Sequence, residues 1–159
     1  MPIIQGGVVQ PGAEQRVVIE EILFTETTGA GVYTGSVAVP AGAYLLDVIV
    51  HGTAVWDAAT SATLKVGDGV DDDGLFAGVD LKSTDLLAAE GLSLSGGAGL
   101  AGGKQGADIA NSQWNRRWLA TARTISAVVT TVGASGSAGR TRVIVAYIVP
   151  QITKNAVKA

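Results

Sequence analysis

Cysteine is absent from the 159-residue chain, which excludes disulfide stapling, thiolate zinc sites and thiol nucleophiles and leaves the redox compartment open. Histidine occurs once, as His51. With no cysteine beside it, a transition-metal site is short of its usual ligands, and no catalytic, cofactor-binding or metal residue is expected. A histidine base also needs a nucleophile and an orienting carboxylate, and no stretch of the sequence supplies them. Charge is sparse, at 16% of residues with a net charge of -3. Without a basic field, direct nucleic acid binding is not expected. No stretch reaches the roughly 18 apolar residues that a membrane span requires. The N-terminal MPIIQGGVVQPG has neither a charged start nor a long apolar run, so a soluble chain with no export signal and no membrane partner is expected.

What the chain has instead is 22 glycines, abundant Ala, Val and Thr, and a mean hydropathy of +0.35. Gly-rich turns between β-branched runs suit a sheet protein. So few charges would leave a free monomer prone to association, which fits a subunit covered by its neighbours. The length suits one domain with a well-buried core.

The densest strand-forming run is Ala43 to Val66. Tyr44 to Val50 is apolar except for Asp47, which predicts a strand buried on both faces or nearly so. A second strand follows at Ala62 to Val66, and this pair with its wide connection points to a β-sandwich. Upstream, Arg16 to Thr25 predicts a strand carrying the solvated pair Glu20 and Glu21. Val32 to Val39 alternates as a half-buried strand. The turn Pro40 to Gly42 then predicts that 32–50 form a hairpin. Downstream, Leu75 to Leu81 is extended, Thr84 could cap a helical turn ending at Gly91, and Leu92 to Ser95 alternates. Thr121 to Val132 places Arg123, Ile125, Ala127, Val129 and Thr131 on one face. Arg140 to Val149 is a last strand, and these two predict a second hairpin. Residues 1–15 read as an extended arm, 16–150 as the β-sandwich domain and 151–159 as a tail.

Chemical motifs are weak. Asp71, Asp73 and Gly74 fall in a calcium-loop register with Asp80, but Gly69 stands at its first position and flanking helices are missing. That leaves a solvated turn, or another calcium loop built on Asp68 or Asp71. Gly97 to Gly102 matches G-x-G-x-x-G without the βαβ context that gives the motif its meaning. Ser135 lacks the closing glycine of a nucleophile elbow. Residues 111–119, NSQWNRRWL, put Trp114 and Trp118 on one face whether helical or extended, with Arg116 and Arg117 between them. Core packing or a lid, intersubunit contact and ligand stacking all use such a surface.

The stretch R-W-L-A-T-A-R-T-I-S-A-V-V-T-T-V with G-A-S-G-S-A-G-R-T-R-V-I-V-A-Y-I-V, at 117–149, resembles the closing hairpin of many small virion proteins of tailed bacteriophages. P-A-G-A-Y-L-L-D-V-I-V-H-G-T-A-V-W-D at 40–57 and L-K-V-G-D-G-V-D-D-D-G-L-F at 64–76 are similar too. The quoted stretches cover 64 of the 159 residues, and the resemblance rests on strand and turn patterns. It implies a jelly-roll-like antiparallel β-sandwich on the capsid exterior of a virion, made in the host cytoplasm. Such a protein decorates or cements the head as a homotrimer bound to major capsid protein. Expected interface residues are Ile3, Ile4, Val8 and Val9 of the arm, which stays ordered only if it buries apolar groups, with Trp114, Arg116, Arg117 and Trp118. A tail or neck protein is the neighbouring alternative. A carbohydrate-binding module stacking sugars on Trp56, Trp114 or Trp118 is the distant one.

Overall fold

The computed structural model describes residues 16–84, 92–94, 117–134 and 136–149. The arm, the Gly-rich stretch 96–106, Ser135, the 85–91 turn and the tail lie outside these residues. Among the described residues the chain is all β: β1 (Arg16–Thr25), β2 (Val32–Val39), β3 (Tyr44–Ala54), β4 (Ser61–Gly67), β5 (Phe76–Asp80), β6 (Leu92–Ser93), β7 (Arg123–Val132) and β8 (Arg140–Val149). One sheet has the order β1-β8-β3-β6 and the other β2-β7-β4-β5, antiparallel throughout. Each sheet draws strands from both halves of the chain, and the interleaved order is that of a jelly roll.

The two expected hairpins are not formed. β2 pairs with β7 and β3 with β8, so the Pro40–Gly42 turn carries the chain from one sheet to the other, and the 133–139 connection does the same for β7 and β8. Burial explains the difference. Val37 and Val39 of β2 and Leu45, Val48 and Val50 of β3 are all buried. Crossing the sandwich edge lets them face one another through a single core, whereas a hairpin would set them side by side on one sheet. The turn is held from outside, because Gly42 donates its amide to the Leu119 carbonyl at 2.8 Å. β4 and β5 are the sequential pair that does form a hairpin, around the 68–75 loop.

The core lies between the inner faces: Leu45, Val48 and Val50 from β3 and Val143 and Val145 from β8 oppose Leu64 and Val66 from β4 and Ile125, Ala127 and Val129 from β7. Each large side chain buried there contributes roughly 1.5–3 kcal/mol. Expected burial on both faces of β3 is met on one. Its other face is half-buried, with Tyr44 40% exposed.

One end of the sandwich is closed by a polar cluster that no sequence pattern announces. The Glu26 carboxylate, 2% exposed, accepts the amides of Asp57 and Gly139 at 3.0 Å each and of Gly136 at 3.2 Å. It ties together the β1–β2, β3–β4 and β7–β8 connections. Trp56 is buried beside it, donating Nε1–H to the Thr141 hydroxyl at 2.8 Å and meeting Tyr33 edge to face at 5.1 Å. Gly139 is needed for this approach, since a β-carbon there would lie 2.5 Å from the indole. The hydrogen bond with the Glu26 side chain, and then the Ala138 amide, hold the Asp57 carboxyl below its ordinary value of 3.8.

Two expectations follow. Glu26→Ala strands three inward-facing amides, and urea unfolding should show a loss of about 3 kcal/mol. A folded-state pKa below the unfolded one means folding favours ionised Asp57. Its contribution is therefore complete above pH 3.8 and is lost as pH falls through the lower folded value. Unfolding midpoints measured down the acid limb should fall less steeply below pH 3.8 in Asp57→Asn.

Candidate functional site

Side chains alternate across a strand, so a sheet with one face on the core ordinarily shows water a polar face. The β2-β7-β4-β5 sheet largely obeys, presenting Thr34, Ser36, Thr63, Lys65, Thr124, Ser126 and Thr130 outward, with Val32 and Val132 exposed at the ends of β2 and β7. The β1-β8-β3-β6 sheet does not. On β1, Ile22 and Phe24 fill the core, while Val17, Ile19 and Leu23 on the opposite face are 58%, 65% and 71% exposed.

The register assembles these residues into rows, because directly opposed side chains lie on the same face. Val17 stands opposite Ile148, Ile148 opposite Tyr44, and Tyr44 bridges to Trp118. The next row runs Ile19, Ala146, Asp47, and the one after it Glu21, Ile144, Ile49 and Ser93. Leu23, Arg142 and His51 make the last. The apolar rows thus end in a polar rim. Arg142 donates from Nε to His51 Nδ1 at 3.0 Å and from Nη1 to Glu21 at 3.4 Å. The one histidine therefore has its Nδ1 lone pair engaged by a guanidinium, a structural role. Asp47 accepts the hydroxyl of Ser93 and the Val48 amide.

Of the eight expected interface residues, the structure describes two, and both join this face. Residues 117–119 run beside the start of β3, where Leu45 donates its amide to the Arg117 carbonyl at 2.9 Å. Trp118 is 57% exposed, and the Arg117 guanidinium sits over the Tyr44 ring, 5.8 Å from its centroid. Ile3, Ile4, Val8, Val9, Trp114 and Arg116 lie outside the described residues. Trp56, the first of the three proposed sugar platforms, is a core residue, 1% exposed. Sequence reasoning missed Val17, Ile19, Leu23, Tyr44 and Ile148 as surface residues. The signal was the pair of apolar parities in RVVIEEILF, a pattern that fits a strand wanted on both faces.

Of the acidic residues, Asp68 is buried and accepts the Val70 amide at 2.9 Å and the Asp71 amide at 3.3 Å, which makes it a turn former. Asp71, Asp72 and Asp73 bring their carboxylates within 4.8 Å of one another, a donor set suited to a hard cation. Lys65 already bonds Asp72. The hydrogen bond with Asp71, followed by burial and the neighbouring charges, lifts the Asp73 carboxyl above its ordinary range. Glu20 accepts the Tyr147 hydroxyl at 2.6 Å, and burial first, then this bond, pushes that phenol up to about 12. Among the described residues, no nucleophile, base and orienting acid stand together, and no helix is long and apolar enough to cross a membrane.

Fold and site define a jelly-roll sandwich with an apolar outer face. Among solved structures, the chain is similar to one in the acidic stable capsid of Helicobacter pylori bacteriophage KHP30, at 14% identity over 84% of this chain and 94% of that one, with a TM-score of 0.48. It is similar to one in the capsid asymmetric unit of cyanophage Pam1, at 21% identity over 94% and 98%, TM-score 0.47. A third is in the capsid of Ralstonia phage GP4, at 17% identity over 91% and 90%, TM-score 0.48. At these values the likeness fixes no partner of this chain. No protein-family model and no curated protein matches the sequence.

Covering the exposed parts of Val17, Ile19, Leu23 and Trp118 offers on the order of 1 kcal/mol each. Ile19→Lys and Leu23→Lys should leave the unfolding free energy within about 0.5 kcal/mol while abolishing any high-mass species seen in sedimentation velocity. A variant that unfolds instead would mark the residue as core.

Proposed function

We propose that this chain is a structural protein of a tailed-phage virion that decorates and cements the capsid. It binds major capsid protein and its own sister subunits, joined as a homotrimer, on the outside of the shell, and it performs no catalysis. The observation that carries this reading is the sheet with two apolar faces. A surface that sets Val17, Ile148, Tyr44 and Trp118 in one row suits permanent cover by protein, since large contiguous apolar patches mark interaction sites. The jelly roll supports it by analogy, as an architecture found in viral capsid domains. The sequence patterns at 40–57, 64–76 and 117–149 point the same way.

The arm serves the same end in this reading, burying Ile3, Ile4, Val8 and Val9 on the shell or on a sister subunit. Jelly rolls also occur in lectins, and the pair Tyr44 and Trp118 is what a sugar would use here. The surrounding aliphatic rows favour a protein partner instead, because a sugar site needs polar groups to hold the hydroxyls.

Expanded capsids mixed with purified protein test the reading. Bound copies at threefold positions are expected, with occupancy lowered by Ile19→Lys and by deletion of residues 2–12, each variant remaining folded. Full occupancy by the deletion variant removes the arm from the account. Failure of the intact protein to bind, together with capture of glycans that Trp118→Ala abolishes, replaces decoration with carbohydrate recognition, and binding confined to tails or necks relocates the protein within the virion.

A further inference from the structure

An edge strand presents unpaired backbone groups to any chain that can match them, and proteins ordinarily blunt such edges with proline, lysine, bulges or brevity. Three of the four edges here are of that kind or are polar. β6 has two residues, β5 has five and a register shift against β4, and β2 is interrupted by Gly35 and faces outward with Thr34 and Ser36 between Val32 and Ala38. β1 is different. It is ten residues long, holds an unbroken register with β8, contains no proline, lysine or glycine, and among the described residues pairs on one side alone.

Its own chemistry selects the partner. A second β1 laid antiparallel in the symmetric register centred on the strand would oppose Glu20 to Glu20 or Glu21 to Glu21, and like charges directly opposite repel. A matching strand should instead bring a cation to Glu21 and apolar residues to Ile19 and Leu23. The sequence QITKNAVKA at 151–159 does this. Run antiparallel to β1, it opposes Ile152 to Leu23, Lys154 to Glu21 and Ala156 to Ile19, all on the outward face, with Val157 opposite Val18 on the inner one.

We propose that the C-terminal segment of a second copy adds as a strand to the free edge of β1 and continues the apolar face. The donor must be a second copy. Val149 lies opposite Arg16, so a chain's own tail starts at the Arg16 end and would have to run parallel to β1. Ile152 is three residues past Val149, a reach of about 11 Å, while Leu23 is seven residues along β1 from Arg16, about 23 Å away. Each copy gives one strand and receives one, so the exchange closes on itself, in a reciprocal pair or in a ring. This deepens the assembly reading and rests on it.

The chain's lack of cysteine makes the test clean. Leu23→Cys and Ile152→Cys in one full-length chain set the two sulfurs on directly opposed residues, within disulfide range. Mild oxidation of the purified protein, with no capsid present, should give covalent closed oligomers under non-reducing electrophoresis, and each single variant should give none. Adding Lys154→Glu should cut the yield several-fold, and adding Glu21→Lys to that should restore it. A product that stays monomeric, or a yield indifferent to both charge changes, overturns the strand exchange. Because no particle takes part, that failure leaves capsid binding standing, and failed capsid binding leaves the cross-link standing.

Discussion

β8 carries apolar residues on both sides over its second half. Thr141, Val143, Val145 and Tyr147 point into the core, and Ile144, Ala146 and Ile148 point the other way. It sits inside its sheet, between β1 and β3, and pairs along its full length with β1 and along most of it with β3. Its inner residues fix which side of β1 and β3 faces the core, because a slip of one residue would reverse every side chain. Its outer residues leave an apolar surface that the described residues do not cover. The core, the register of the longest strands and the apolar outer face are therefore tied to one segment that is apolar at both parities.

Much of this was legible in the residues. β1, β2 and β8 run over the stretches that composition and alternation marked, 16–25, 32–39 and 140–149. The inward set of β7, from Ile125 to Thr131, follows from alternation. Pairing was not legible. A short turn between two strands looks the same whether it closes a hairpin or bridges two sheets, and the difference lies in where distant strands offer edges. Glu26 was equally hidden, since a buried carboxylate is justified by three amides from loops more than 30 residues away. Of the residues on the apolar outer face, Arg117 and Trp118 were marked by composition. Tyr44, 73 residues from Arg117 in the chain, could be placed beside them only by the fold.

The two outer surfaces divide the chemistry. One is mainly hydroxylated, with Lys65, Asp80 and the exposed Val32 and Val132 among its threonines and serines, and the other is mainly aliphatic and aromatic with a rim of Glu21, Arg142 and His51. That arrangement, an apolar centre with polar groups at its margin, is the usual anatomy of a protein interface. Among the described residues, two exposed ion pairs contribute little to holding the sandwich together. Glu21 with Arg142 and Lys65 with Asp72 are both solvent-accessible, and exposed pairs yield about 0–1 kcal/mol. The shared core and the Glu26 cluster at one end hold the two sheets together, and a surface already held in place costs less entropy to bind.

The central claim is that the β1-β8-β3-β6 sheet meets its partner through its outer face. Amide hydrogen exchange, compared between dilute protein and protein assembled on particles, tests it most directly. The account predicts new protection in β1 and around Tyr44 and Trp118, with β2, β5 and β7 unchanged. Protection gained on the hydroxylated sheet, with β1 exchanging as freely as before, would contradict it.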